Sequence, residues 1–449
     1  MKRLLWFRRD LRISDNALLS FDGDVLPIFI FDTNILSKLQ ADDRRVAYIF
    51  GLVLELKAQL QSIGLELKVF YDEPLAIIQK LQEIHGFDEV VASGDYDAYA
   101  KQRDKEISHM LHFRYLQETY IFKHNEVLKD DGTPYYVFTP YYKKACKVLE
   151  HKELLEAKRG AFTLVQERFD GLFVLQESGF FSLALRLESL GFYETKCTLV
   201  PLKEKLDALK NKLQNYAYER DFLAINATSN LSTELRFGVI GVRELLRYIG
   251  SLPNSEPFVR QLIFRDFYAT LLFHLPQIEF ENYKYKFNGI KDEAKYQLFC
   301  KAKTGVPIVD AGVRELLQTG YMYNRVRMVV ASFFAKDLLL PWQWGEAFFA
   351  QHLLDYDKAS NVLSWQWSAG TGVDPQPYFR IFNPYLQSKK FDKDALYIKK
   401  YLPELNAVEA KYLHDEAFLL SHTIKDYPHP MLTHKQAAKV AIESFKKSF

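Results

Sequence analysis

Three clusters in this 449-residue sequence bring together side chains that could do chemistry. The first is Thr228-Ser229-Asn230-Leu231-Ser232, just ahead of a helix expected from near Val242. Hydroxyls beside the free backbone N–H groups of a helix start make a cradle for phosphate, and plain N-capping is the ordinary alternative. The second runs from Leu353-Leu354-Asp355-Tyr356-Asp357 through Asn361 to Trp365-Gln366-Trp367. It places two carboxylates, an amide and two indoles within fifteen residues. Carboxylates so close can pair with arginine or grip ribose hydroxyls and a ring N–H; a solvated helix end beside core tryptophans is the alternative. The third cluster is basic and aromatic: Arg260, Gln261, Phe264, Arg265, Phe267 and Tyr268, then Tyr321, Tyr323, Asn324, Arg325, Arg327 and Met328. Gln261, Phe264, Arg265 and Tyr268 fall at helical spacing and share one face. Arginine with stacking aromatics suits an unpaired base beside a phosphate backbone, against the alternative of a core stripe edged by surface arginines.

The elements that must position these groups divide the chain. In the first third, LLWF (4–7), VLPIFIF (25–31), LELKVFY (65–71) and EVVAS (89–93) predict strands. Between them lie helices over Asp42–Ile63, Pro74–Ile84 and about Asp97–Leu111, with Gly64 and Gly86 placed to stop the first two. Strand–helix alternation with buried-type strands predicts a doubly wound parallel sheet. Residues 145–215 are charged and mixed and predict a connecting region with helical pieces. From Tyr216 onward the pattern is helical and aromatic, and the tail from about Leu402 reads as polar helix.

Composition narrows the function classes. Hydrophobic residues are 48% and charged residues 26%, as in a globular protein, while Lys+Arg 59 against Asp+Glu 57 leaves any basic groove local. Aromatic content is high at 15%. Cys146, Cys197 and Cys300 are too scattered for a disulfide framework or a zinc site and predict buried thiols in a reducing cytoplasm. The start MKRLLWFRRDLR has no apolar core of a signal peptide, and the stretch Val326 to Leu340 is broken by Arg327, Lys336 and Asp337. No P-loop, G-x-S-x-G or HExxH pattern occurs, and His109 and His112, placed on one helix, read as solvated.

Taken in order, these motifs resemble the DNA photolyase and cryptochrome family, most closely the class I cyclobutane pyrimidine dimer photolyases. The likeness runs through LLWFRRDLRISDN (4–16), YYVFTPYYKKA (135–145), YAYERDFLAINATSNLS (216–232), KTGVPIVDAGVREL (303–316), YNRVRMVVASFFAKDLL (323–339) and NVLSWQWSAGTGVDPQPYFRIFNP (361–384). It implies an α/β antenna-binding domain over 1–130, a linker over 131–215 and a helical FAD- and DNA-binding domain over 216–449. Tyr216, Thr228, Ser229, Asn230, Leu231 and Ser232 match the flavin's phosphate-binding set, and Phe258 and Tyr356 join the cofactor's contacts. Asp355 and Asp357 match carboxylates near the ring, with Arg327 the partner of Asp355, and Asn361 matches the residue facing the flavin N5. The implied chemistry is photochemical: reduced FAD, one per monomer, passes an electron to a dimer flipped out of UV-damaged DNA, whose cyclobutane bonds split before the electron returns. Arg265, Arg325 and Lys389-Lys390 would hold phosphates, Trp367 would stack on the dimer, Asn324 and Met328 would line its pocket, and Gln387 and Tyr268 would contact DNA. A cytoplasmic monomer without membrane contact is implied.

Four positions depart from the class I pattern. Gln261 replaces a glutamate that bonds the dimer, Phe264 replaces a flanking tryptophan, and Tyr323 replaces a histidine common among relatives. Glutamine at 261 is shared with (6-4) photolyases, but Asn324 and Met328 stand where their two catalytic histidines belong. The fourth departure lies in the tryptophan chain that reduces FAD: Trp365 and Trp342 match its first two members, and the third is replaced by Tyr283, Tyr285 and Phe287, with Trp344 offering another exit. Tyr99-Ala100 stands at the folate-binding pair, which leaves methenyltetrahydrofolate, a deazaflavin, another flavin or no antenna open. A non-repairing cryptochrome-like photoreceptor is the rival reading.

Overall fold

The computed structural model describes residues 1–165, 174–175, 186–195 and 200–447. Cys197 and parts of the expected connecting region lie outside them. The chain divides into two compact units, one of residues 1–134, 142–211 and 229–273 and one of residues 135–141, 212–228 and 274–449.

The first unit carries a sheet whose strands lie in the order His112–Leu116, Glu89–Ser93, Lys2–Phe7, Gly23–Asp32, Lys68–Asp72 and Val174–Leu175, with Phe162–Leu164 paired to Gly23–Asp32. Strands β1 (Lys2–Phe7), β2 (Gly23–Asp32), β3 (Lys68–Asp72) and β4 (Glu89–Ser93) match the expected apolar runs. β5 (His112–Leu116) extends the same parallel register beside β4. Burial of Leu4, Trp6, Leu26, Ile28, Phe70 and Val90 against Ile77, Ile78 and Leu81 forms this unit's core. Covering both faces of a parallel sheet is what lets its strands be apolar throughout.

The helices begin and end where their caps stand. Asp43 accepts from the Arg45 N–H ahead of Arg44–Gln61, and Asp97 accepts from the Ala100 N–H ahead of Ala98–Ser108. Pro74 opens Pro74–His85, and Gly86 closes it at φ +63°, a conformation glycine adopts without a Cβ clash.

Several expectations are corrected. The helix placed over Asp97–Leu111 stops at Ser108, so His109 caps it while His112 starts β5, with Nδ1 3.2 Å from Glu89 Oε2. Two stretches of the connecting region join the sheet as β6 (Phe162–Leu164) and β7 (Val174–Leu175). Cys146 and Cys300 are half-buried rather than buried. The tail is not one helix but short pieces over Pro403–Leu405, Ala410–Leu413 and Glu416–Ser421 before His434–Lys446.

The helix Glu256–His274 carries a buried acid that sets a pH dependence. Asp266, only 1% exposed, accepts from the Phe122 N–H at 2.9 Å. Burial, partly offset by that bond, raises its pKa from the ordinary 3.8 to about 7. The native state therefore binds this proton more tightly than the unfolded chain. The stabilisation it confers is complete below the unfolded value and is lost as pH rises through about 7. Asp266→Asn keeps an acceptor without a charge, so its melting temperature should exceed the parent's by several degrees at pH 8, with the gap closing under acid conditions. Thermal melts across that pH range check this.

Candidate flavin and lesion site

In the second unit, the chemistry gathers on three consecutive helices. Asn324–Ser332 runs straight into a π-helical turn, Phe333–Asp337, and is followed by Trp342–His352 and Lys358–Ala369. Single π-turns inside helices are frequent at functional sites because they displace a side chain from the regular ladder.

Arg327 and Asp355 form the expected ion pair. The Arg327 Nη2 lies 2.8 Å from Asp355 Oδ2 and 3.1 Å from Oδ1, and the Arg327 Nε donates to the Met322 carbonyl at 2.7 Å. Burial disfavours the guanidinium charge, but the facing carboxylate more than restores it, so the pKa of Arg327 is raised. Asp357 is not a solvated helix end: it is 8% exposed, and its Oδ1 accepts from the backbone N–H and hydroxyl of Ser360, both at 3.0 Å.

Asn361 stands one turn into the same helix. Its amide nitrogen donates to the Glu346 backbone carbonyl at 3.1 Å and to Glu346 Oε1 at 3.0 Å. Tyr356 donates its hydroxyl to the same carboxylate oxygen at 3.2 Å. Burial raises the pKa of Glu346, while the Asn361 bond pulls it down. With its N–H groups committed, Asn361 turns its carbonyl oxygen toward whatever it faces as an acceptor. Glu346 escaped the sequence reading because it lies fifteen residues away on another helix. Its one sequence signal is a lone acid in the otherwise uncharged stretch WQWGEAFF.

Behind Asn361, Trp365 is 1% exposed and packs edge-on against Phe334 (5.4 Å between ring centroids) and Phe349 (4.9 Å). A Cβ on Gly345 would meet the Trp365 ring at 2.2 Å, so glycine is required for this approach. The Trp365 indole N–H is buried without a hydrogen-bond partner. Trp342 instead donates its indole N–H to Asn282 Oδ1 at 2.7 Å.

The lesion-side expectations divide. Asn324 is exposed, Met328 is half-buried, and half-buried Trp367 lies 6.4 Å from the Phe382 ring. Gln387 holds a buried Oε1 without a partner. Lys389 and Lys390 are exposed. Arg325, expected on a phosphate, pairs with Asp221 at 2.6 Å and lies over the Phe391 ring. Tyr216 is buried beneath Arg220, and the Thr228 carbonyl accepts from Lys212 Nζ at 2.8 Å. Tyr323 donates its hydroxyl to the Ile225 carbonyl at 2.7 Å.

In the first unit, Ser229 accepts from the Leu231 N–H at 3.3 Å, and Asn230 adopts φ +56°. A short helix, Ser232–Phe237, follows them directly with Ser232 its exposed first residue, and the expected helix starts at Val242, running Val242–Gly250. Phe258 is buried. Gln261 and Phe264 are half-buried, and Phe264 meets buried Tyr268 edge-on at 4.8 Å. Arg265, also expected on a phosphate, donates to the Thr119 carbonyl at 2.6 Å and stacks on Tyr120. Both arginines therefore tie backbone or side chains within their own units.

The second unit's donor set fits a flavin. A carbonyl acceptor fixed by Glu346 suits a ring N–H, and the Arg327–Asp355 pair offers both a cation and a carboxylate to a polar heterocycle. These residues lie in a segment, 258–447, that matches the family model described as the FAD binding domain of DNA photolyase. Residues 3–159 match the DNA photolyase model. The deoxyribodipyrimidine photo-lyase of Alkalihalophilus pseudofirmus is 32% identical, with 99% of this chain and 98% of that protein covered. The bacterial class III photolyase from Agrobacterium tumefaciens superposes with a TM-score of 0.83 at 30% identity, over 100% of this chain and 97% of that one. The archaeal photolyase from Sulfolobus tokodaii, crystallised with two FAD molecules, gives 0.81 at 27% identity, covering 100% of both chains. Among the described residues no helix is long and apolar enough to cross a membrane. This chain belongs to the DNA photolyase and cryptochrome family, and its cofactor is FAD.

Proposed function

We propose that the chain repairs cyclobutane pyrimidine dimers in UV-damaged DNA under light. The observation that carries this reading is Asn361, whose amide is locked by Glu346 so that a carbonyl oxygen remains for the flavin ring. Bound and reduced, FAD supplies a light-excited electron to the dimer. The protein's own task is to bind, orient and exclude water, and no general acid or base is needed.

Residue by residue, the proposal is as follows. Arg327, Asp355, Tyr356, Asp357 and Asn361 hold the flavin ring side, and Tyr216 with Thr228 its phosphate side. Ser229, Asn230, Leu231, Ser232 and Phe258 are further cofactor contacts. Trp365 serves its reduction, and Trp342 is the second donor that the family pattern offers. Trp367 stacks on the flipped lesion, with Asn324 and Met328 beside it. Gln261 accepts from a pyrimidine N–H more weakly than a carboxylate would. Phe264 gives a smaller stacking face, and Tyr268 and Gln387 complete the DNA contacts. Flipping costs a few kcal/mol and least at a poorly stacked dimer, which favours damaged sites. The domain bounds 1–130, 131–215 and 216–449 are part of the same proposal.

Asn324 and Met328 carry no imidazole, which favours cyclobutane dimers over (6-4) products. Offering both lesions to the reduced protein under blue light tests this: only the cyclobutane dimer should be restored, and restoration of the (6-4) product alone would overturn it.

With Arg265 and Arg325 engaged internally, the exposed pair Lys389 and Lys390 takes the larger share of phosphate contact. Lys390→Ala should reduce the slope of log affinity against log salt by about 0.9, equally for damaged and undamaged duplexes. Fluorescence anisotropy titrations at several salt concentrations check this.

A further inference from the structure

Trp365 lies 5.4 Å from Phe334, Phe334 lies 6.2 Å from Tyr296, and Tyr296 lies 5.2 Å from Trp344, all between ring centroids. These separations are those of aromatic rings in contact. The row leads from a fully buried indole to half-buried residues: Tyr296 on the helix Glu293–Cys300, and Trp344 on the helix Trp342–His352. The tyrosines and phenylalanine expected to replace the missing third tryptophan lie on the segment that Asn282, the acceptor of the Trp342 indole N–H, ties down through the Tyr285 and Phe287 carbonyls, and their rings meet other aromatic rings. Tyr283 meets Tyr136, Tyr285 meets Tyr378, and Phe287 meets Phe445.

We propose that Trp344, reached from Trp365 across Phe334 and Tyr296, is the terminal electron donor for light-driven reduction of this protein's FAD. The proposal rests on Trp365 lying against the flavin. Trp365 gives one electron to light-excited oxidised FAD and is refilled by one electron from Trp344. Oxidised Trp344 then loses its indole Nε1 proton to water, and a thiol in solution returns one electron and one proton.

Phe334 is too hard to oxidise to hold the charge and serves as a tunnelling bridge, across which transfer falls exponentially with distance. Tyr296 is a poor resting place because a phenol gives up its proton when oxidised. Its hydroxyl bonds the Cys300 thiol, and burial raises the pKa of both groups. An indole holds the positive charge without immediate proton loss, so the charge passes on to Trp344.

Transient absorption on the FAD-loaded protein after a blue flash tests this in Trp344→Phe, Trp342→Phe and Trp365→Phe, each checked for flavin content and melting temperature. The expected result is loss of most of the long-lived oxidised-tryptophan signal in Trp344→Phe, to below half the parent amplitude, while Trp342→Phe keeps more than half. Retention of more than half in Trp344→Phe, or an equal loss in Trp342→Phe, would overturn the proposal. An intact signal in Trp365→Phe would overturn instead the placement of Trp365 at the flavin. Should Trp344→Phe fail to fold, mapping of light-induced oxidation in the unmodified protein by peptide mass spectrometry decides. Adducts are expected on Trp344, and their confinement to Trp342 would overturn the assignment.

Discussion

Replacing Asp355 by alanine is expected to strip the protein of most of its flavin. Asp355 is nearly buried and faces Arg327 through two hydrogen bonds, with the guanidinium further held by the Met322 carbonyl. Truncating one member of such a pair leaves the other charge desolvated and uncompensated, at roughly 2–5 kcal/mol. Arg327 is part-exposed, so the lower half of that range applies. About 3 kcal/mol corresponds to on the order of a hundredfold weaker FAD binding. Gel filtration followed by the flavin-to-protein absorbance ratio reads this directly. Asp355→Glu should retain part of the flavin by keeping the charge. Undiminished flavin in Asp355→Ala would mean that the pair only braces the helix Asn324–Ser332.

The second large effect concerns lesion recognition. Trp367 is half-buried, packed against Phe382, and offers one indole face. Stacking on an aromatic side chain contributes about 1–3 kcal/mol per unpaired base, so Trp367→Ala should weaken binding to dimer-containing DNA by roughly five- to 150-fold. Binding to undamaged duplex, governed by phosphates, should hardly change. Competition between damaged and undamaged oligonucleotides separates the two contributions. A uniform loss on both would place Trp367 in the packing of this region rather than against the lesion. Phe264, with its smaller ring, makes the dependence on Trp367 stronger than two flanking indoles would.

What was legible in the sequence follows physical range. Strands β1 to β4 stand out because their covered faces favour apolar runs, longest in LLWF and VLPIFIF. β5 did not: it is an outer strand in which only Phe113 is buried, while His112, Arg114 and Tyr115 are exposed. β6 and β7 are too short to carry a period. The tail misled because helical spacing persists across the turns that break it.

Site residues divide the same way. Asp355, Asp357, Asn361, Trp365 and Trp367 are close in sequence and were found together. Their partners are not: Glu346 for Asn361, Asn282 for Trp342, and Phe334 for Trp365 come from other segments and have no spacing signal. Arginines were the least legible. Arg265 and Arg325 both read as phosphate contacts in sequence, yet the Thr119 carbonyl claims one and Asp221 the other. Whether an arginine is free for a phosphate depends on what stands across from it in space.

The most direct measurement of the central claim is chromatography of a defined thymine-dimer oligonucleotide after incubation with the reduced, FAD-loaded protein, under blue light and in darkness. The account predicts restoration of the undamaged strand in the light alone, with Gln261 and Phe264 slowing repair without preventing it. No restoration in the light, with FAD bound and reduced, would contradict it and leave the cryptochrome-like photoreceptor as the better reading.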